Sequence, residues 1–450
     1  MSIKGNRWIR GVLIGWVGAL ALGVVGSLLR SPRPEAVEVY LDIAKGGGGK
    51  ITLALSDFVS RGPAKENLSP EIRSILSQDL KASGFFDLVE NEAFVREASA
   101  QDQKEGKVHF EEWTRLGANA LIGGGYLNSR GDLKVDFQLY DVAQGKVITQ
   151  KSYRSEPGDL RQQVHRFSDE VVAILTGERG IAQTKITFVG KGTGSKELYI
   201  TDYDGYNVKR LTHNRSIVLS PAWSSDGQRI GFTLYKGRNP SLYVMDWLTG
   251  NQWPLSVYQG LNSSVAWAPD GRKLALVLSR DGGPEIYTMS PDGTNLRRLT
   301  HYDGVDSSPT WSPNGRQIAF TSDRSGSPQI YVMDAEGSNA RRLTFEGNYN
   351  DLATWSPKGD KIAYCTRVGG RFQIAVMNAD GSQARRLTAL PGDNESPTWA
   401  PNGRRIAFSS TQKGTSQVYS INPDGTGLQQ LTFLGGGCFE PAWSPWLGGG

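Results

Sequence analysis

The sequence predicts a mixed fold: an N-terminal α/β domain followed by a six-bladed all-β propeller that the C-terminal strand closes. Three observations predict it. Trp recurs at 223, 267, 311, 355, 399 and 443, a step of 44 residues that nothing interrupts. A second marker keeps the same phase, in Leu211-Thr212, Leu255-Ser256, Leu299-Thr300, Leu343-Thr344, Leu387-Thr388 and Leu431-Thr432. Helical patterns occur only upstream of this repeat, within about 37–180, whereas the repeat occupies 184–447.

Each repeat reads as four short strands. In the best unit, Pro309 to Phe320 holds two strands around the turn Ser312 to Gly315, where Pro and Asn-Gly sit at positions that turn geometry favours. Gln329 to Asp334 is a third strand and Ala340 to Thr344 a fourth. A period near 40 to 45 residues with four strands is the arithmetic of a WD40-like propeller. The Trp residues end the inner strands and are expected to pack between blades.

Closure follows from the two ends of the series. Ile186-Thr187-Phe188 matches the second strand Ile318-Ala319-Phe320 three repeats later, yet no Trp precedes it in phase. Pro441-Ala442-Trp443 is a first strand with no second strand after it. The last strand is therefore expected to complete the first blade, which removes an open edge.

Upstream, Ser69 is expected to cap a helix with Pro70 at its first position, Ile72, Ile75, Leu76 and Leu80 along one face, and Gly84 at its end. Leu133, Val135, Phe137 and Leu139 alternate as one face of a strand. Asp159 opens a last helix with Leu160, Val164, Phe167, Val171 and Leu175 on one side, ended by Gly177. Helices and strands mixed at this scale read as an α/β sandwich.

The charge of +5 does not indicate nucleic acid. Residues 1–36 contain Lys4, Arg7, Arg10, Arg30 and Arg33 against Glu35, a net +4, so the remainder is nearly neutral. That same segment has a basic start, an uncharged apolar run from Gly11 to Leu29 and a short polar end, the pattern of an export signal. A retained anchor is the competing reading. Cys365 and Cys438 lie in different units, so no disulfide is expected between them.

Chemistry is sparse. The histidines His109, His165, His213 and His301 lack metal-ligand spacing, no Gly-x-Ser-x-Gly occurs, and neither metal nor cofactor is expected. Gly46 to Lys50 resembles a phosphate loop, but Ile51 stands where Ser or Thr would be needed. Asp202 to Gly205 looks like a calcium loop only until it is seen to fall on the recurring hairpin turn and to lack a distal Glu.

The informative positions lie three to five residues before each Trp, at the expected mouth of the central channel. Asn262, Ser264, Asp306, Ser307, Asp351, Glu395 and Glu440 are the candidate site there. They are either solvated loop polarity or a partner-docking rim around a polar, cation-tolerant channel. Val37, Glu38, Val39, Tyr40, Leu41, Asp42 and Ile43 form a second candidate, because apolar and polar residues alternate there just before four glycines. This strand is either an edge of the first domain or a segment that adds to another protein's sheet.

The order of parts, with Asp202-Tyr203-Asp204-Gly205-Tyr206-Asn207 opening the ring and Pro441 to Leu447 closing it, resembles the TolB family of periplasmic propeller proteins of the Tol-Pal system. The resemblance implies a non-enzymatic, monomeric adaptor in the periplasm, peripheral to the outer membrane. It would bind the lipoprotein Pal through the propeller and TolA through the segment Val37 to Ile43, supporting envelope integrity and outer-membrane constriction at cell division. Two departures are the Gly46 to Gly49 run and Pro254-Leu255-Ser256 in place of Arg-Leu-Thr. A propeller-associated hydrolase and a small-ligand-binding propeller are the alternatives.

Overall fold

In the computed structural model, which describes residues 50–62, 66–129, 131–192 and 194–447, the alternating stretch around Phe137 becomes a strand of a five-stranded sheet. Its members are β1 (Ile51–Ser60), β2 (Phe86–Leu88), β3 (Ala120–Ser129), β4 (Asp132–Asp141) and β5 (Lys146–Ser155), in the order β2-β1-β3-β4-β5. Leu133, Val135, Phe137 and Leu139 are all fully buried on one face. Against that face pack α1 (Ser69–Ser83) and the long α4 (Leu160–Thr176), and Phe167 stacks on Phe137 with ring centroids 4.5 Å apart. Two further helices, α2 (Glu92–Glu105) and α3 (Phe110–Arg115), enclose a smaller cluster around Trp113.

The start of α1 differs from expectation. Ser69 is the first helical residue, and its hydroxyl accepts the Phe58 N–H at 2.9 Å instead of capping its own helix. The reason lies in β1, whose register shifts between Leu55 and Phe58 and leaves that donor without a ladder partner. Asn67 accepts the Ser69 N–H at 3.1 Å in its stead. At the other end Gly84 takes φ 78°, the left-handed geometry that stops the helix. A single turn, Pro157–Asp159, precedes α4, and Asp159 makes no side-chain cap.

The repeat is a six-bladed propeller. Among the described residues it forms six four-stranded antiparallel sheets, one per blade. The closing blade joins β6 (Lys185–Gly190), β7 (Glu197–Asp202) and β8 (Lys209–Arg210) to the C-terminal strand Cys438–Trp443, with Trp443 opposite Ile186 and Cys438 opposite Gly190. Five of the six inner-strand Trp residues are 6–8% exposed and sit in clusters shared by adjacent blades.

The Leu-Thr marker has a structural cause. Thr212, Thr300, Thr344, Thr388 and Thr432 accept the backbone N–H of Leu198, Ile286, Ile330, Ile374 and Val418, and donate to buried Glu197, Glu285, Gln329, Gln373 and Gln417. Each hydroxyl thus fastens a short outer strand to its neighbour without leaving a buried polar group unpaired. The departing unit differs accordingly: Ser256 donates to Asn262 at 2.7 Å. Cys365 and Cys438 are both free and buried.

Candidate partner-binding face

Every inner strand enters its blade through the same irregularity. Three residues before each Trp, Ser220, Ser264, Ser308, Leu352, Ser396 and Glu440 take φ between 49° and 56°. At these points the pairing with the second strand slips, for instance between Ser263 and Ala266 and between Glu395 and Thr398. A bulge with one left-handed residue re-aims the strand. Six such bulges surround a cavity of about 240 Å³ that these residues and the Pro221, Val265, Pro309, Ala353, Pro397 and Pro441 behind them line.

The seven expected rim residues fall at three depths. Ser264 and Glu440 line the cavity. Ser307, Asp351 and Glu395 are one residue earlier and half-buried. Asn262 and Asp306, one residue earlier again, are 0% exposed and do not stand on the rim. This corrects the expectation for those two, and the reason is hydrogen bonding in the connection between blades. The Asn262 amide donates to Tyr258 and Pro240 carbonyls at 2.7 and 3.1 Å and accepts from Tyr258 N–H and Ser256. Asp306 accepts from Arg324 at 2.7 Å. A connection that turns back into the ring has backbone groups the sheets cannot satisfy, and Asn262 satisfies them, whereas Asp306 is held inside by the Arg324 guanidinium.

Three of the five remaining positions are carboxylates. Asp351 accepts the Thr321 hydroxyl at 2.6 Å, while the Glu395 carboxylate has no hydrogen-bond partner among the described residues. Burial raises the pKa of Glu395 and the charges of Asp393, Glu440 and Asp351 raise it further. Burial also raises that of Glu440, which accepts the Ser220 N–H at 2.5 Å. Carboxylates that repel one another in a cavity mouth favour whatever brings a positive charge or a hydrogen-bond donor to them.

A second polar site is one that reading the sequence missed. Arg161, His165 and Asp169 are four residues apart and form one stripe of α4 that faces the propeller. Arg161 pairs with Asp204, His165 Nδ1 lies 2.9 Å from Asp79 Oδ2 on α1, and Asp169 accepts the Ala182 and Gln183 N–H groups at 2.8 and 3.1 Å. The Tyr203 hydroxyl donates to Asp79 at 2.6 Å. The Asp-x-Asp-Gly turn therefore serves as a polar contact of the first domain with the closing blade. Asp79, His165 and Asp204 place ligand-type atoms within 4.8 Å of one another, but Arg161 already neutralises Asp204 and Asp79 is taken up by Tyr203 and His165. The signal that would have found it is polar residues at helical spacing beside an apolar stripe.

Val37 to Ile43, the glycine run and the proposed export signal lie outside the described residues. No helix among the described residues is long and apolar enough to cross a membrane.

Comparison with known proteins gives one answer for both parts. Residues 172–447 match the family described as the TolB beta propeller domain, and residues 39–148 match the TolB amino-terminal domain. The chain belongs to the TolB family. The Tol-Pal system protein TolB of Desulfosudis oleivorans is 40% identical over 201 residues, 43% of this chain and 45% of that one. The counterpart in Geobacter sulfurreducens is 40% identical over 43% of this chain and 44% of its own length. These alignments span under half the length of the TolB relatives. The crystal structure of TolB from Acinetobacter baumannii superposes with a TM-score of 0.76 at 27% identity, covering 89% of this chain and 98% of that one.

Proposed function

We propose that this chain is a non-enzymatic periplasmic adaptor of the Tol-Pal system, which binds Pal at the channel face of the propeller and TolA through Val37 to Ile43, and so supports outer-membrane integrity and constriction at division. The observation behind this reading is that both TolB domains occur in one chain in TolB order. The acidic rim supplies a surface on a rigid ring, where such folds recognise partners.

The rim residues Ser264, Ser307, Asp351, Glu395 and Glu440 differ in what they can offer, and Glu395 is the most available. Glu395→Lys is expected to weaken Pal binding by about 2 kcal/mol or more if the carboxylate is desolvated in the complex. The control lies at the turn on the other face, where Asn314 accepts the Arg316 N–H at 3.0 Å. Asn314→Asp keeps that acceptor, as Asp226 and Asp270 do in their own units, and adds a charge without changing affinity. Calorimetric titration with purified Pal checks both. Equal affinities would place docking elsewhere.

Deleting Val37 to Ala44 is expected to leave the melting transition unchanged and to abolish TolA binding, because a strand that adds to a partner's sheet contributes main-chain pairing nothing else can replace. A pull-down with TolA together with a thermal melt decides it. Retained binding excludes the role, and unfolding shows the segment to be an edge strand of the first domain.

A further inference from the structure

The polar stripe of α4 does more than glue two domains. We propose that His165 is the proton-sensing member of a latch that holds the α/β domain onto the closing blade more firmly in mild acid than in mild base. The proposal is independent of the Pal and TolA assignments, since it needs no partner.

The geometry is that of a closed charge cluster. The His165 side chain is only 5% exposed, and Asp79 and Asp204 are 1% exposed. Nδ1 hydrogen-bonds to Asp79. Nε2 has no hydrogen-bond partner among the described residues and lies 4.0 Å from Asp204 Oδ2. If the ring is neutral with its proton on Nδ1, Nε2 presents a buried lone pair to a carboxylate. If the ring is charged, Nε2 carries a proton toward Asp204, and the two carboxylates are balanced by His165 and Arg161. Losing one proton therefore leaves one uncompensated buried negative charge between the domains, a costly state.

The surroundings set the direction. From α1 comes Asp79, and from the closing blade Tyr203 and Asp204, with the Tyr203 ring edge-on to the imidazole at 5.8 Å. From α4 itself come Arg161 and Asp169. The neighbouring blade contributes Arg405, buried and bonded to Ser420 and Gly427. Burial opposes charging His165, but the carboxylates of Asp79 and Asp204 outweigh burial and Arg161, so the pKa is raised. A histidine raised in this way stabilises the folded arrangement fully below its unfolded value of about 6.5 and loses that contribution as pH rises through the folded value. Burial pushes Asp169 up to about 6, so it also takes up a proton more readily when folded, and it acts in the same direction.

The test is hydrogen–deuterium exchange of the full chain at pH 6 and pH 8, corrected for the intrinsic pH dependence of exchange. Amides of Gly180 to Thr184 and Asp202 to Tyr206 are expected to lose about tenfold protection or more at pH 8, a weakening of the latch by about 1.4 kcal/mol. In His165→Gln, which keeps a donor for Asp79 and cannot titrate, that pH dependence should shrink to the smaller part that Asp169 contributes. Equal protection of the wild type at both pH values, or an unchanged dependence in the variant, overturns the proposal. If the variant does not fold, nuclear magnetic resonance titration of the wild-type imidazole gives the decision. A ring already neutral at pH 6 refutes the latch, and a ring charged there that titrates above about 6.5 supports it.

Discussion

Removing residues 438–450 abolishes cooperative folding of the propeller, and the expected readout is the loss of a sharp thermal transition together with aggregation. Three kinds of interaction go at once. β6 loses its whole inner partner and becomes an unpaired edge. Trp443 no longer donates to Thr184 at 2.9 Å, and the Ala442 carbonyl no longer accepts from Trp223 at 3.1 Å across the blade boundary. Trp446 no longer donates to the Gly180 carbonyl at 2.8 Å, so the segment between the domains loosens as well. Truncating one buried Trp to Ala alone costs roughly 3–5 kcal/mol, against a total stability of about 5–15 kcal/mol for a typical domain. Differential scanning calorimetry of the truncated and complete chains checks this. A truncated protein melting as the complete one does would mean that the ring does not depend on its closing strand.

The second large effect separates depth from position. Asp306→Lys is expected to destabilise the protein by about 4 kcal/mol or more, because it buries an unpaired ammonium beside Arg324 in place of the carboxylate that accepts from it at 2.7 Å. Burial already raises the pKa of Asp306, with Ser322 and Arg324 opposing it, so its charge is held by few partners. Asp306→Asn should be far milder, since Asn262, Asn350 and Asn394 occupy the same place in other units. Glu395→Lys, half-buried at the corresponding connection two units later, should stay within about half a kcal/mol of the wild type. Urea denaturation of the three variants gives the comparison. An Asp306→Lys protein as stable as Glu395→Lys would show that the two carboxylates share one environment after all.

The ring was legible in the sequence because its cause is periodic. Trp443 and Ile186 could be paired across the chain by counting, since one ends a unit with no successor and the other begins one with no predecessor. The candidate rim was only partly legible. Asp306 and Glu395 look alike when read as acidic residues before a Trp, but one residue of strand alternation separates a fully buried acceptor from an available carboxylate, and the bulge that follows them has no residue signature. Ser, Leu and Glu all occupy it. The latch was illegible for another reason. Arg161, His165 and Asp169 share a helix with the apolar stripe of Leu160, Val164 and Phe167, and Asp204 and Asp79, the partners of Arg161 and His165, come from elements more than 30 residues away on either side. Ser69 shows the local form of the same difficulty, since a strand donor elsewhere in the fold claimed the hydroxyl that its helix was expected to use.

That tolerance at the bulges has a consequence for how such a protein can change. A non-glycine residue at positive φ costs on the order of 1 kcal/mol, and here six positions accept the cost with side chains as different as Ser264, Leu352 and Glu440. The conformation is imposed by the ladders on either side, so the frame of the cavity mouth and its chemical lining are specified by different parts of the chain. A lineage can therefore exchange one lining residue at a time, trading a hydroxyl for an alkyl group or a carboxylate, and meet a diverging partner without renegotiating the ring that presents it.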